Sequence, residues 1–280
     1  MSVPPYSDLP APAPGRTGWP WTAPAGQAGP GDTPPGGWPK ITIVCPSYQQ
    51  GRFIEETIRS VLLQNYPALE FIIMDAGSTD GTVEILQRYS PWLTSWESQP
   101  DRGQAHAINK GCDRATGEII GWINSDDYYL PGAFATVGRT YRTASNRLLY
   151  GDWASRQNED PALTFQKERP AFAFQVAVGG RQLPSHATFW PRHAHQRLNE
   201  SLQFTMDAEL FKRLAASGLR PKHLAAPLAV CRLHPASKTS RIIDVARAES
   251  AAWSLAQPWH THWRWLFSRL LDRVTRDLPR

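Results

Sequence analysis

From about residue 41 onwards, short apolar runs alternate with stretches whose apolar residues recur at helical spacing. Ile41-Thr42-Ile43-Val44-Cys45 is rich in β-branched residues, stops at Pro46, and predicts a buried strand. Over residues 52–64 the apolar positions Ile54, Ile58, Val61 and Leu62 keep the period of a helix. Phe71-Ile72-Ile73-Met74 predicts a second strand, followed by the turn-forming run Asp75-Ala76-Gly77-Ser78-Thr79-Asp80-Gly81-Thr82. Asp80 is placed to cap a helix through Val83, Leu86 and Gln87. A third strand is expected around residues 93–97, then Asp101-Arg102-Gly103-Gln104 and a helix carrying Ala107, Ile108 and Gly111. A fourth apolar run, Ile119-Ile120-Gly121-Trp122-Ile123, ends in Asn124-Ser125-Asp126-Asp127.

Strands alternating with helices of roughly a dozen residues predict right-handed βαβ units and a parallel sheet. The ends of strands one, two and four then share one edge, where open α/β sheets bind ligands. That edge gathers Pro46-Ser47-Tyr48, Asp75 and Asp126. Two adjacent carboxylates repel unless a positive charge lies between them, and a hard divalent cation meets that need. An Asp-Asp pair also occurs in solvated turns and helix caps, so the pair gains its meaning from the strands upstream.

The motifs Ile43-Val44-Cys45-Pro46-Ser47-Tyr48, Met74-Asp75-Ala76-Gly77-Ser78-Thr79-Asp80-Gly81-Thr82 and Gly117 through Asp127 resemble the family 2 glycosyltransferases of GT-A fold. Asp101-Arg102-Gly103-Gln104, Ala107-Ile108-Asn109-Lys110-Gly111, Met206-Asp207-Ala208-Glu209-Leu210 and Arg232-Leu233-His234-Pro235-Ala236-Ser237-Lys238-Thr239 continue it in order. The resemblance implies a Rossmann-like, mostly parallel sheet flanked by helices. It also implies transfer of a sugar from a nucleoside diphosphate, a UDP-sugar foremost, to a glycan or lipid-linked acceptor hydroxyl with inversion. Bacterial cell-surface polysaccharide or glycolipid synthesis is the expected setting.

The same resemblance assigns roles. Asp126, with Asp127 beside it, is the expected ligand of a divalent cation, Mg²⁺ or Mn²⁺, which offsets the leaving diphosphate's charge. Asn124 stands where the family's motif has its first acid, and Ala76 stands where a second aspartate is usual. Asp75 matches the residue that reads the base, and Pro46, Ser47 and Tyr48 match the loop that cradles it. Arg102, Asn109, Asn124, Ser125, Arg232 and His234 are the remaining expected donor contacts, with Lys110 another candidate. Asp207 matches the general base, with Glu209 in reserve; taken alone, Asp207 reads equally well as a helix N-cap. His186 and Trp190, in Leu183-Pro184-Ser185-His186-Ala187-Thr188-Phe189-Trp190, are expected on the acceptor side.

With 280 residues and 41% apolar content the chain can build one sizeable core, expected over residues 39–245. Residues 1–38 are rich in Pro, Gly and Ala, and this composition predicts a disordered tail rather than a signal peptide. No stretch approaches the roughly 20 apolar residues of a membrane span. Three scattered cysteines, Cys45, Cys112 and Cys231, fit a reduced cytoplasmic protein with no disulfide or metal use. A net charge of +5 raises nucleic acid as a partner, but no basic stripe interleaved with aromatics supports it, so none is expected.

The excess charge gathers partly in residues 246–280, expected to form a helical extension. There Trp259, Trp263, Leu266, Leu270, Leu271, Val274 and Leu278 keep helical spacing, with Arg264, Arg269, Arg273 and Arg276 on other faces. Such a segment reads either as an interfacial anchor at the inner membrane surface or as a terminal helix packed on the domain. Two other functions compete with an active transferase. A non-catalytic nucleotide-sugar binder would follow if Asn124 and Ala76 cripple metal binding. A nucleotidyltransferase would need a glycine-rich phosphate loop, where this chain has Pro46-Ser47-Tyr48-Gln49-Gln50.

Overall fold

The structure, a computed structural model, describes residues 4–22, 31–158, 160–178 and 181–255. In chain order the elements are β1 (Ile41–Ser47), α1 (Ile54–Leu62), β2 (Leu69–Asp75), α2 (Thr82–Tyr89), β3 (Ser95–Ser98), α3 (Gln104–Arg114), β4 (Ile119–Trp122) and β5 (Tyr128–Tyr129). They continue with α4 (Ala133–Thr143), β6 (Arg147–Gln157), β7 (Thr164–Gln166), α5 (Ala173–Ala177), β8 (Thr188–Pro191), α6 (Met206–Ala216), β9 (Arg220–Leu233), α7 (Lys238–Arg241) and α8 (Ile243–Leu255).

The strands form one sheet in the order β3-β2-β1-β4-β8-β6-β9-β5, with β7 paired to β6. The first four are parallel, as the alternation of strand and helix predicts. Beyond β4 the sheet is mixed: β8 runs antiparallel to β4 and β6, while β6 and β9 form a long parallel ladder. This is the expected mostly parallel α/β architecture, with helices on both faces.

Both faces of β1 are covered, which is why its sequence is continuously apolar rather than alternating. Ile41, Ile43 and Cys45 pack into a cluster with Ile54, Ile58, Phe134 and Val137 of α1 and α4. Val44 faces the other way, with Ile108 of α3 and Leu210, Phe211 and Leu214 of α6. A Cβ on Gly111 would sit 2.4 Å from Val44 Cγ1, so only glycine lets α3 lie this close to β1.

Two expectations shift in detail. The third strand covers Ser95–Ser98, two residues later than its apolar start, because Leu93 is buried in the turn leading into it. Asp80 precedes α2 by two positions, yet its Oδ1 still accepts from Thr82 N (3.2 Å) and its Oδ2 from Gly51 N (2.8 Å). Burial pushes its pKa up, but these bonds and the Thr82 hydroxyl outweigh it and hold the carboxyl below its ordinary value.

The expectation of a disordered segment over residues 1–38 is corrected for the described part of it. Residues 4–22 and 31–38 hold no strand and no α-helix, as their composition predicts, but they are docked on the domain. Leu9 and Trp21 are buried, and Tyr6, Trp19 and Trp38 pack on the main cluster. Trp19 Nε1 donates to Tyr129 O (2.8 Å). The fully buried Arg59 of α1 donates to Pro10 O (2.8 Å) and Pro20 O (3.1 Å) and lies against the rings of Tyr6 and Trp21. A few aromatic anchors thus fix a segment that could not form a core of its own.

The segment carrying Trp259 to Leu278 lies outside the described residues. Among the described residues no helix is long and apolar enough to cross a membrane.

Candidate active site

The ends of β1, β2 and β4 meet at one rim. Ser47 stands opposite Asp75 in the β1–β2 register. Asp75 is buried and accepts from Ser78 N (2.8 Å), Gly77 N (3.2 Å), Ser78 Oγ (2.6 Å) and Ser98 Oγ (2.6 Å). Ser47 Oγ is buried without a hydrogen-bond partner, a polar atom that a ligand would satisfy. Tyr48 next to it is 60% exposed. With Arg52, Phe53, His234 and Arg241 it lines a cleft of about 380 Å³.

The two acids after β4 turn to different surroundings. Asp126 Oδ2 lies 3.1 Å from Nε2 of His234, a residue of the cleft wall. Asp127 turns inward and is buried. Its Oδ1 accepts from Arg232 N (2.8 Å) and its Oδ2 from Asn124 Nδ2 (3.3 Å). Burial and the neighbouring Asp126 charge push the Asp127 pKa well above its ordinary value. The turn is pinned from below. Thr57 Oγ1 of α1 lies 3.0 Å from Ser125 O and 2.6 Å from Asp127 O, and Arg232 Nε donates to Asp126 O (2.9 Å).

Asp207 sits in the first turn of α6 and accepts from Ala208 N (2.7 Å) and from the Ser185 hydroxyl. Burial raises its pKa, against those bonds and the charge of nearby Lys238. A side-chain relay connects this end of the site to the acid turn. Lys238 Nζ donates to Gln104 Oε1 (2.6 Å), and Gln104 Nε2 donates to Asn124 Oδ1 (2.6 Å). Glu249 of α8 fixes the approach to α6. It accepts from Gln203 N (2.6 Å), Phe204 N (2.9 Å), Thr205 N (2.9 Å) and Thr205 Oγ1 (3.0 Å).

Several expected donor contacts are engaged elsewhere. Asn109 is fully buried and bonds the chain at Leu198 in both directions (3.0 and 2.8 Å), with a third bond to Glu200 Oε1 (3.0 Å). It clamps α3 to the segment before α6 and leaves no face for a donor. Arg232 is also buried; besides Asp126 O, it donates to Asn158 O (3.1 Å) and Glu56 Oε2 (2.7 Å). Its guanidinium holds the acid turn rather than facing the cleft. Arg102 is mostly exposed and paired with Glu200 (2.6 Å), and Lys110 pairs with Glu97. Ser125 is buried and reaches the turn through its backbone. Glu209, the reserve base, is held by Arg213 at 2.6 Å. Trp190 belongs to the core, edge-on to Trp122, so it cannot stack on an acceptor sugar. His186 is buried, and burial lowers its pKa to about 4.

Glu56, Gln104, Lys238 and Glu249 escaped the sequence reading. Gln104 and Lys238 lie inside matched motifs, which was signal enough to single them out. Glu56 and Glu249 carry no sequence signal, since each reads as one more charge on an amphipathic helix.

The profile described as Glycosyl transferase family 2 matches residues 42–206, more than half of the chain. TuaG of Bacillus subtilis, named for teichuronic acid biosynthesis, is 39% identical over 92 residues, covering 32% of this chain and 36% of its own. An uncharacterised glycosyltransferase of Rickettsia typhi is 24% identical over 230 residues, or 77% of this chain and 71% of its own. The chain spans about a third of the length of the first such relatives, 34% and 36%. Among solved structures, Staphylococcus aureus TarS 1-349 in complex with UDP-GlcNAc matches with a TM-score of 0.58 at 17% identity, over 75% of this chain and 65% of that one. The mannosyltransferase PcManGT from Pyrobaculum calidifontis in complex with GDP-Man and Mn²⁺ matches with a TM-score of 0.55 at 17% identity, over 86% and 82%. The fold is that of these GT-A neighbours, and the profile match over the strand-end rim shows that this chain belongs to glycosyl transferase family 2.

Proposed function

We propose that this chain transfers a glycosyl group, with inversion, from a nucleoside-diphosphate sugar to an acceptor hydroxyl. The observation that carries the reading is the contact of Asp126 with His234, which lines the cleft. A carboxylate oxygen beside an imidazole nitrogen suits a divalent cation, Mn²⁺ better than the oxygen-preferring Mg²⁺, so Asp126 and His234 would hold it. When bound, the ion would supply positive charge against the leaving diphosphate.

The chain's own residues do the rest. Tyr48 offers an exposed ring to a base, and Ser47 Oγ an unpartnered polar atom. Asp75 shapes the loop of residues 77–78 through its bonds to Gly77 and Ser78. Lys238, joined to Asn124 through Gln104, stands between the acid turn and Asp207 as a further cation. Asp207 takes the acceptor's proton. The diphosphate departs without a protein acid, so one base suffices. Burial makes Asp207 a stronger base than an ordinary aspartate.

A UDP-sugar is the favoured donor, supported by the UDP-GlcNAc complex of TarS 1-349, with GDP-mannose as the alternative suggested by PcManGT. A glycan or lipid-linked acceptor of a cell-surface polysaccharide fits the names of TuaG and of the chondroitin synthase of Pasteurella multocida, 29% identical over 66% of this chain and 20% of its own. The test is a hydrolysis screen over UDP-, GDP- and dTDP-sugars with and without Mn²⁺. One donor class should be hydrolysed slowly, and chelator should remove the rate. A chelator-insensitive rate would refute the metal assignment, and no binding of any donor would refute the whole reading.

A further inference from the structure

Asp127, His186 and Cys231 come from three separate elements: the turn after β4, the turn before β8, and β9. One ligand atom from each lies within 4.8 Å of the other two. His186 is 8% exposed, yet its Nε2 has no hydrogen-bond partner, an unusual state for a buried imidazole. Trp153 holds the ring edge-on, with centroids 5.0 Å apart. Asp127 Oδ1 accepts from Arg232 N and Oδ2 from Asn124 Nδ2, and the carboxylate also meets the Cys231 thiol, whose proton a metal ion would displace.

We infer that these three side chains form a second cation site, selective for a soft divalent transition ion of the Zn²⁺ or Co²⁺ type. Sulfur, nitrogen and oxygen donors together are the ligand set of such ions, whereas Mg²⁺ prefers oxygen alone. A tetrahedral ion with bonds of about 2.0–2.3 Å needs donors roughly 3.3–3.8 Å apart, so atoms now within 4.8 Å would close by up to about 1.5 Å. The fourth position is left to water. The site differs from the Asp126–His234 pair in its ligands, taking Asp127 with His186 and Cys231 instead. A bound ion would tie the acid turn to β9 and to the turn before β8, fixing the backbone from which Asp126 projects. Spacing could not reveal it, since the ligands are 59 and 45 residues apart in the sequence.

The test uses the full chain, stripped by chelator and titrated with Co²⁺ and then Zn²⁺. One tightly held equivalent of Co²⁺ should give a thiolate-to-cobalt charge-transfer band in the near ultraviolet, and Zn²⁺ should displace it. C231S, close to isosteric, should abolish the band. H186Q should weaken Co²⁺ binding about 10- to 100-fold. D126A removes a neighbouring charge and should keep the thiolate band, changing Co²⁺ affinity less than H186Q does, while losing donor hydrolysis, so the second site and the proposed transfer reaction can fail separately. No thiolate band in the parent protein would overturn the inference. So would a band that survives in C231S, which would assign it to Cys45 or Cys112, or one lost in D126A, which would merge the two sites.

Discussion

The parallel half of the sheet and the mixed half build their polar sites differently. In the parallel half each acid draws most of its bonds from residues within three positions of it, with one more from an adjoining segment. Asp75 is held by Gly77, Ser78 and Ser98, and Asp80 by Gly51 and Thr82. In the mixed half the partners are distant: His234 for Asp126, Arg232 for Asp127, Lys238 for Gln104. Local sites are redundant, with several bonds per carboxylate. Long-range sites depend on single residues delivered by β9 and by the helices that follow it. Losses should therefore be large in the second group and small in the first.

The largest effect is expected at Asp126. D126A should lower donor hydrolysis at least about 10³-fold, near 4 kcal/mol of transition-state stabilisation, with unchanged near-ultraviolet circular dichroism. Full activity would remove Asp126 from the site. Next is Arg232, whose loss strands Glu56 in the interior with only Arg156 for a partner. R232M should cost about 3 kcal/mol of unfolding free energy, read from urea denaturation, and a change below about 1 kcal/mol would show that the buried pair is energetically neutral.

Asp207 separates activity from stability. D207N should reduce hydrolysis about 10²-fold while donor affinity stays put. The raised folded pKa means that ionised Asp207 opposes folding at neutral pH, so D207N should be no less stable than the parent there. In the parent, activity should fall with acid at a higher pH than an ordinary aspartate of about 3.9 would give, because the base protonates sooner. Collapse of donor binding with a normal rate per bound donor would make Asp207 a structural cap.

Glu249 should matter less. Burial raises its pKa, but the bonds from Gln203, Thr205 and Phe204 outweigh that and hold it below its ordinary value. Its contribution is then present above the unfolded value of about 4.3 and lost as pH falls through the lower folded one. E249A should cost about 1 kcal/mol at neutral pH, and the difference from the parent should vanish in acid. The smallest effect belongs to the local group. S98A removes one of four bonds to Asp75 and should cost about 0.5–1 kcal/mol. A loss as large as that of R232M would break the contrast between the halves.

The sequence by itself determined the order of strands and helices up to β4, the burial of β1 on both faces, and the rim where Ser47, Asp75 and Asp126 meet. Hydrophobic period and turn residues are local properties, and parallel βαβ units translate them into one edge with little freedom. The tertiary structure decided the rest. It buried Asp127 against the backbone of Arg232, spent Asn109 and Arg232 on internal clamps, and set Trp190 in the core. It also docked residues 4–22 through Arg59, where composition predicted disorder. Each of these outcomes depends on a partner dozens to more than a hundred residues away, whose arrival is set by the packing of β9, α6 and α8. No window of sequence contains both members of such a pair, so only the folded chain shows which polar groups remain for a ligand.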